Sequence, residues 1–157
     1  MPNSALWTNF ELYGDPRLAG ARCQDVMTDY KKIKILPRYS KIRSLDVSII
    51  HRKSLRWLEE RLRELRGLKS VVVTHHGPSE KSVPEEYIGD VVTSSYVSNY
   101  VSNLESTILE YEPDLWLHGH LHNSSSYKLG DCQIAWNPKG YSDELNPDFD
   151  SRLVVNV

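Results

Sequence analysis

Six histidines are the residues of this chain best suited to chemistry, and five of them fall in two short clusters. The first is Thr74-His75-His76-Gly77-Pro78, directly after the apolar run Val71-Val72-Val73. The second is His118-Gly119-His120-Leu121-His122, directly after Leu115-Trp116-Leu117. Neutral imidazole is the commonest protein ligand for zinc, manganese or iron. Two short buried strands that deliver imidazoles at the same end would make a metal site. His120 and His122 are two positions apart. On a strand they share a face; on a loop just past a strand they can splay towards two adjacent ions. Gly119 permits backbone angles that other residues avoid, so it is expected to carry the sharp turn between them. An isolated His-x-His is weak evidence. His75 strengthens it, because it lies at the matching end of a neighbouring strand with one helix between. His76 reads as a packing or hydrogen-bonding neighbour, and His51 as a core residue on the apolar face of a helix.

The elements that must position these side chains can be read in order. Ala5–Phe10 is aromatic and β-prone, which suggests a strand. Asp15-Pro16 reads as an N-cap with proline at the first helical position. Ala19, Cys23, Val26, Tyr30 and Ile33 then form the stripe of one amphipathic helix, stopped by Pro37. Residues 31–43 carry six basic residues and no acid, and the second half reads as a loop. Residues 46–66 are the clearest helix, with His51, Leu55, Leu58, Leu62 and Leu65 on one face, a Glu59–Arg63 pair at i,i+4, and Gly67 to end it. Ser70–Thr74 reads as a strand buried on both faces. The loop 75–94 is long enough to form a functional rim. Ser94 or Ser95 is expected to cap a second helix with Val97, Val101, Leu104 and Ile108 inward, followed by a strand over Asp114–Leu117. Helix, strand, helix, strand is the grammar of a parallel sheet, whose ligands sit at the carboxyl ends of its strands. Short strands are expected at Ser126–Leu129, Gln133–Trp136 and Leu153–Asn156, with turns at Gly130-Asp131 and Asn137-Pro138-Lys139-Gly140.

Composition sets the bounds. A chain of 157 residues fits one domain and can bury a real core. The formal charge of −2 excludes a general polyanion binder. Yet residues 31–66 hold 12 Lys/Arg against 4 Asp/Glu, while residues 80–157 hold 4 against 13. The basic block could attract phosphates, though a solvated helix surface is the plainer account. Cys23 and Cys132 are too few for a disulfide framework and are expected to be reduced and buried. The first ten residues lack a signal-peptide pattern and no run is long enough to span a membrane, so a cytoplasmic location is the default expectation.

The two histidine motifs, in this order, resemble the calcineurin-like metallophosphoesterase superfamily. Leu6-Trp7-Thr8-Asn9-Phe10, Trp57-Leu58 and Asn137-Pro138-Lys139-Gly140-Tyr141 are similar to a bacterial and phage branch of it, so the resemblance covers nearly the whole chain. It implies an α/β fold in αββα layers, a β-sandwich flanked by helices. It also implies hydrolysis of phosphomonoesters or phosphodiesters at two divalent ions of manganese, zinc or iron. By that resemblance His75 and His120 would bind one ion and His122 the other. His76, His118 and Asn123 would be neighbours or substrate contacts, and no further catalytic residue is assigned.

The family pattern also contains Asp-x-His, Gly-Asp-x-x-Asp and Gly-Asn-His-Asp/Glu, and none occurs in these 157 residues. The expectation is therefore a single partial domain over 1–157, the C-terminal half of the fold without its N-terminal βαβ half. Three histidines without carboxylates offset four positive charges poorly, so metal affinity should be weak. An uncovered sheet edge or face should favour self-association or an N-terminal partner chain. Three function classes follow: a metallophosphoesterase, possibly one subunit of a split enzyme; a catalytically silent remnant that binds a metal or a partner; and a structural single-zinc protein.

Overall fold

The structure, a computed structural model, describes residues 6–88 and 100–157. It is mixed α/β. Helix α1 (Pro16–Val26) is followed by α2 (Thr28–Lys32), a small hairpin of β1 (Lys34–Ile35) and β2 (Ser40–Lys41), and the long helix α3 (Ser44–Glu64). Next come β3 (Val71–Val73), helix α4 (Glu105–Tyr111), β4 (Leu115–His118), β5 (Ser125–Leu129) and β6 (Cys132–Trp136). A last hairpin pairs β7 (Gly140–Tyr141) with β8 (Glu144–Leu145).

The main sheet has the order β3-β4-β6-β5. β3, β4 and β6 are parallel, and β5 returns antiparallel beside β6. The register aligns Val72, Trp116, Ile134 and Tyr127 in one row. These side chains share a face and meet Leu62 of α3 and Ile108 and Tyr111 of α4 in the larger core. Trp116 is fully buried there, and truncating it should cost about 3–5 kcal/mol. A second core gathers Phe10, Ala19, Cys23, Tyr30, Ile42 and Val47 between α1, α2 and the start of α3. Cys23 and Cys132 are free and buried. Among the described residues no helix is long and apolar enough to cross a membrane.

Several expectations need correcting. Residues 6–10 form no strand; Leu6, Trp7 and Phe10 have positive φ angles, which break extended pairing, and residue 5 lies outside the described residues. The helix expected to run from Pro16 to Ile33 is interrupted at Met27, whose backbone is extended. Ala19, Cys23 and Tyr30 reach one core with Ile33 packed against it, whereas Val26 is 48% exposed, so the stripe survives the break only in part. The basic segment contains the β1–β2 hairpin rather than loop alone. Glu59 and Arg63 do not pair. Packing of α3 on α4 gives each a better partner: Thr107 donates to Glu59 at 3.1 Å and Arg63 donates to Tyr111 at 2.9 Å.

β3 is buried on one face only. Among the described residues it is a sheet edge, with Val71 and Val73 49% and 61% exposed. The helix expected to start at Ser94 or Ser95 falls partly on residues 89–99, outside the described residues. Val101 is not helical but bridges Gly77, and α4 begins at Glu105. Residues 153–156 find no ladder partner among the described residues and remain irregular.

Candidate functional site

Because β3 and β4 are parallel, their carboxyl ends lie side by side, and both histidine clusters leave the sheet there. The ladder continues past the strands. Thr74 N–H donates to Leu117 O at 2.9 Å and Gly119 N–H donates to His75 O at 3.0 Å. Trp116 Nε1–H donates to Thr74 Oγ1, which in turn donates to His76 O. These bonds hold His75 and His76 against the segment that carries His120.

The result is a packed triangle of imidazoles. Ring centroids lie 4.6 Å apart for His75 and His120, 4.8 Å for His76 and His120, and 5.2 Å for His75 and His76. His120 Nε2 is buried and has no hydrogen-bond partner among the described residues. Burial, reinforced by neighbouring His76, His75 and His122, pushes the His120 pKa down to about 2. Burial also holds His75 below its ordinary value, opposed by Asp29 and aided by His122. Both rings are therefore neutral at physiological pH, the state in which imidazole offers a lone pair to a cation.

His122 stands at the margin of the triangle. Its Nδ1 lies 3.5 Å from a Glu144 carboxylate oxygen, and Tyr141 packs edge-on to its ring at 4.7 Å. Both come from the β7–β8 hairpin. Gly140 shapes this hairpin, with φ +79° and an imagined Cβ only 2.3 Å from Glu144 O. Asn146 anchors it, donating to Ser124 Oγ and Pro138 O.

His118 points elsewhere. It is buried, stacked on Trp136 at 4.6 Å, and bonded through Nε2 to Ser82 Oγ at 3.1 Å. Asn123 accepts from Trp136 Nε1–H at 3.3 Å. The sharp turn is also placed differently from expectation. The positive φ belongs to His120, at +68°, while Gly119 lies outside that range.

Three aromatic neighbours complete the surroundings. Trp7 packs against His76 at 5.5 Å and Tyr100 against His120 at 4.6 Å, in addition to Tyr141. Trp7 is held from α3: His51 Nδ1 lies 2.9 Å from Leu6 O and 3.2 Å from Trp7 O, so that nitrogen carries the proton. His51 thus does more than fill the core, since it restrains a strained arm against the histidines. Neither the Trp7 contact nor the Glu144 contact had a local sequence signal, because both depend on chain distant from the clusters.

The unpartnered, buried His120 Nε2 fits a cation ligand. The wider set is incomplete: among the described residues no three His, Cys, Asp or Glu side chains are arranged to hold a metal ion. His75 and His120 are neutral donors, and among the described residues a Glu144 carboxylate lies beside His122 while Asp29 acts on His75 electrostatically. The chain's imidazoles would form part of a coordination shell. A separate cleft of about 760 Å³ lies away from the histidines, between Ser126, Lys128 and Gln133 of the sheet and the tail at Leu153 and Val157.

No protein-family model matches the chain, and no curated protein does. Among solved structures, the phosphopantetheinyl hydrolase of Mycobacterium tuberculosis is similar in fold, with a TM-score of 0.61 at 14% sequence identity. The match covers 88% of this chain and 49% of that one. The chain therefore spans about half the length of a hydrolase whose fold it resembles.

Proposed function

We propose that this chain carries the C-terminal half of a calcineurin-like metallophosphoesterase domain and contributes imidazole ligands to a metal-dependent phosphoesterase site. One observation carries the reading: His75, His76 and His120 converge at the ends of two parallel strands, with the His120 lone pair buried and unpaired. The fold likeness to a protein titled a phosphopantetheinyl hydrolase supports it, as do the two histidine motifs in their order. In this account His75 and His120 hold one divalent manganese, zinc or iron ion and His122 faces a second. His76 and Asn123 remain neighbours of the site or contacts to substrate. When bound, such ions supply Lewis acidity and a hydroxide near neutral pH. The residues of this chain provide neutral donors, exclude water through Trp7 and Tyr100, and hold His122 against Glu144.

The missing carboxylates favour a second reading in which the chain alone is silent. The two divide on activity. The chain is loaded with manganese and assayed on an aryl phosphate, alone and with a polypeptide bearing the Asp-x-His and Gly-Asn-His motifs. Activity that requires the second polypeptide and disappears in His120→Ala supports the proposal. Hydrolysis that is unaffected by His120→Ala, or absent in every combination, rules it out.

A further inference from the structure

We propose that His118 is a positioning residue: a buried hydrogen-bond chain locks its tautomer, and its Nδ1–H clamps the Gly119 carbonyl that holds the turn aiming His120. The importance of that aim rests on the reading of the cluster given above; the geometry does not.

His120 sits at the apex of a three-residue turn. Leu121 N–H donates back to Gly119 O at 2.8 Å, and His120 has φ +68°. A γ-turn with positive φ at a residue other than glycine is rare and strained, and it persists only when its surroundings over-determine it. Here both ends of the Gly119 residue are held. Its N–H donates to His75 O at 3.0 Å. Its carbonyl accepts from Leu121 and lies 3.2 Å from His118 Nδ1. The segment therefore turns at one place, and the His120 ring is delivered against His75.

The direction of each bond follows from which groups can only accept. A backbone carbonyl only accepts, so His118 Nδ1 bears the hydrogen. In the neutral ring Nε2 is then an acceptor, and Ser82 Oγ, 3.1 Å away, must donate to it. With its hydrogen so committed, Ser82 Oγ can only accept from Tyr127 Oη at 3.0 Å. Ser79 gives its own hydrogen to Glu105 at 2.6 Å and adds no donor to this chain. Ser79, Ser82 and His118 are all buried, so water does not compete for these groups. Stacking on Trp136, with the ring planes 24° apart, fixes the plane of the imidazole. The relay begins at the Tyr127 hydroxyl of β5 and ends at the carbonyl beside His120.

The test uses the full chain, isotope-labelled and stripped of metal, in solution near pH 7.5. Its readouts are the His118 ring nitrogen shifts, the contact between the His75 and His120 rings, and hydrogen exchange of the Leu121 amide. The wild type should show the Nδ1–H form. His118→Phe keeps a ring against Trp136 but removes the donor. It should speed Leu121 exchange about five- to tenfold, the loss of one net hydrogen bond, and abolish the His75–His120 contact. His118→Asn, which places an N–H close to the position of Nδ1–H, should restore both. Amides of β4 and β6 should stay protected in all three. An Nε2–H wild type, or a His118→Phe protein with unchanged Leu121 exchange and ring contact, would overturn the proposal. Should His118→Phe fail to fold, Ser82→Ala replaces it: mixed His118 tautomers are expected, and an unaltered single tautomer counts against the relay. No metal or substrate enters these measurements, so failure of the phosphoesterase reading would leave their result intact.

Discussion

At the residue scale, the strain of the histidine loop rests on His120 rather than on the glycine before it. A Cβ built at Gly119 meets only His75 Nδ1 at 3.7 Å and His75 O at 3.9 Å, ordinary contacts. Gly119→Ala should therefore change folding free energy by less than about 1 kcal/mol in urea unfolding; a loss well beyond that would mean the turn is misassigned. Buried imidazoles make a second prediction. Burial lowers the pKa of His51, and burial lowers that of His118 to about 4. Below the ordinary value of 6.5 the unfolded chain binds protons that the native chain refuses. Stability is thus greatest above pH 6.5 and is lost as pH falls from there towards 4. Each group contributes a slope of up to about 1.4 kcal/mol per pH unit. Urea midpoints measured between pH 7.5 and 5 with chelator present should fall steadily, and His118→Asn should flatten the curve.

At the scale of elements, the β7–β8 hairpin is the support for His122. Gly140→Ala forces a left-handed alanine into the Glu144 carbonyl. It should cost more than about 2 kcal/mol, from roughly 1–2 kcal/mol of backbone strain plus the clash, and shift the His122 ring resonances. β3 is an edge of the main sheet among the described residues. Val71 and Val73 are exposed on an edge strand, so Val71→Lys with Val73→Lys should alter stability little. If that face mediates association, as the account proposes, sedimentation of the double variant should show less self-association than the wild type. Helix α3 was legible because Leu55, Leu58 and Leu62 repeat at helical spacing and Gly67 follows with φ +83°. β3 was legible from its valine run, β4 from its short apolar run after Pro113, and the Gly130 turn from turn chemistry. The break at Met27 was not, because no glycine or proline marks it. Residues 153–156 have the composition of a strand but, among the described residues, no partner to make one.

At the scale of the whole molecule, the site was legible as residue types and order, not as geometry. The approach of the two histidine clusters followed from two apolar runs ending in histidines, whereas the pairing of His75 with His120 was implied by the family resemblance. The approach of Trp7, the withdrawal of His118 into a relay with Ser82 and Tyr127, and the marginal place of His122 depended on tertiary packing. The chain matches about half of a larger hydrolase in fold, and we propose that its imidazoles form a partial shell that binds an ion weakly by itself. The direct test is calorimetric titration of the metal-stripped chain with zinc, comparing wild type with His75→Ala and His120→Ala under conditions where circular dichroism shows all three folded. One ion should bind per wild-type chain, with the heat abolished by either substitution. No binding by the wild type, or binding that survives His120→Ala, would contradict it.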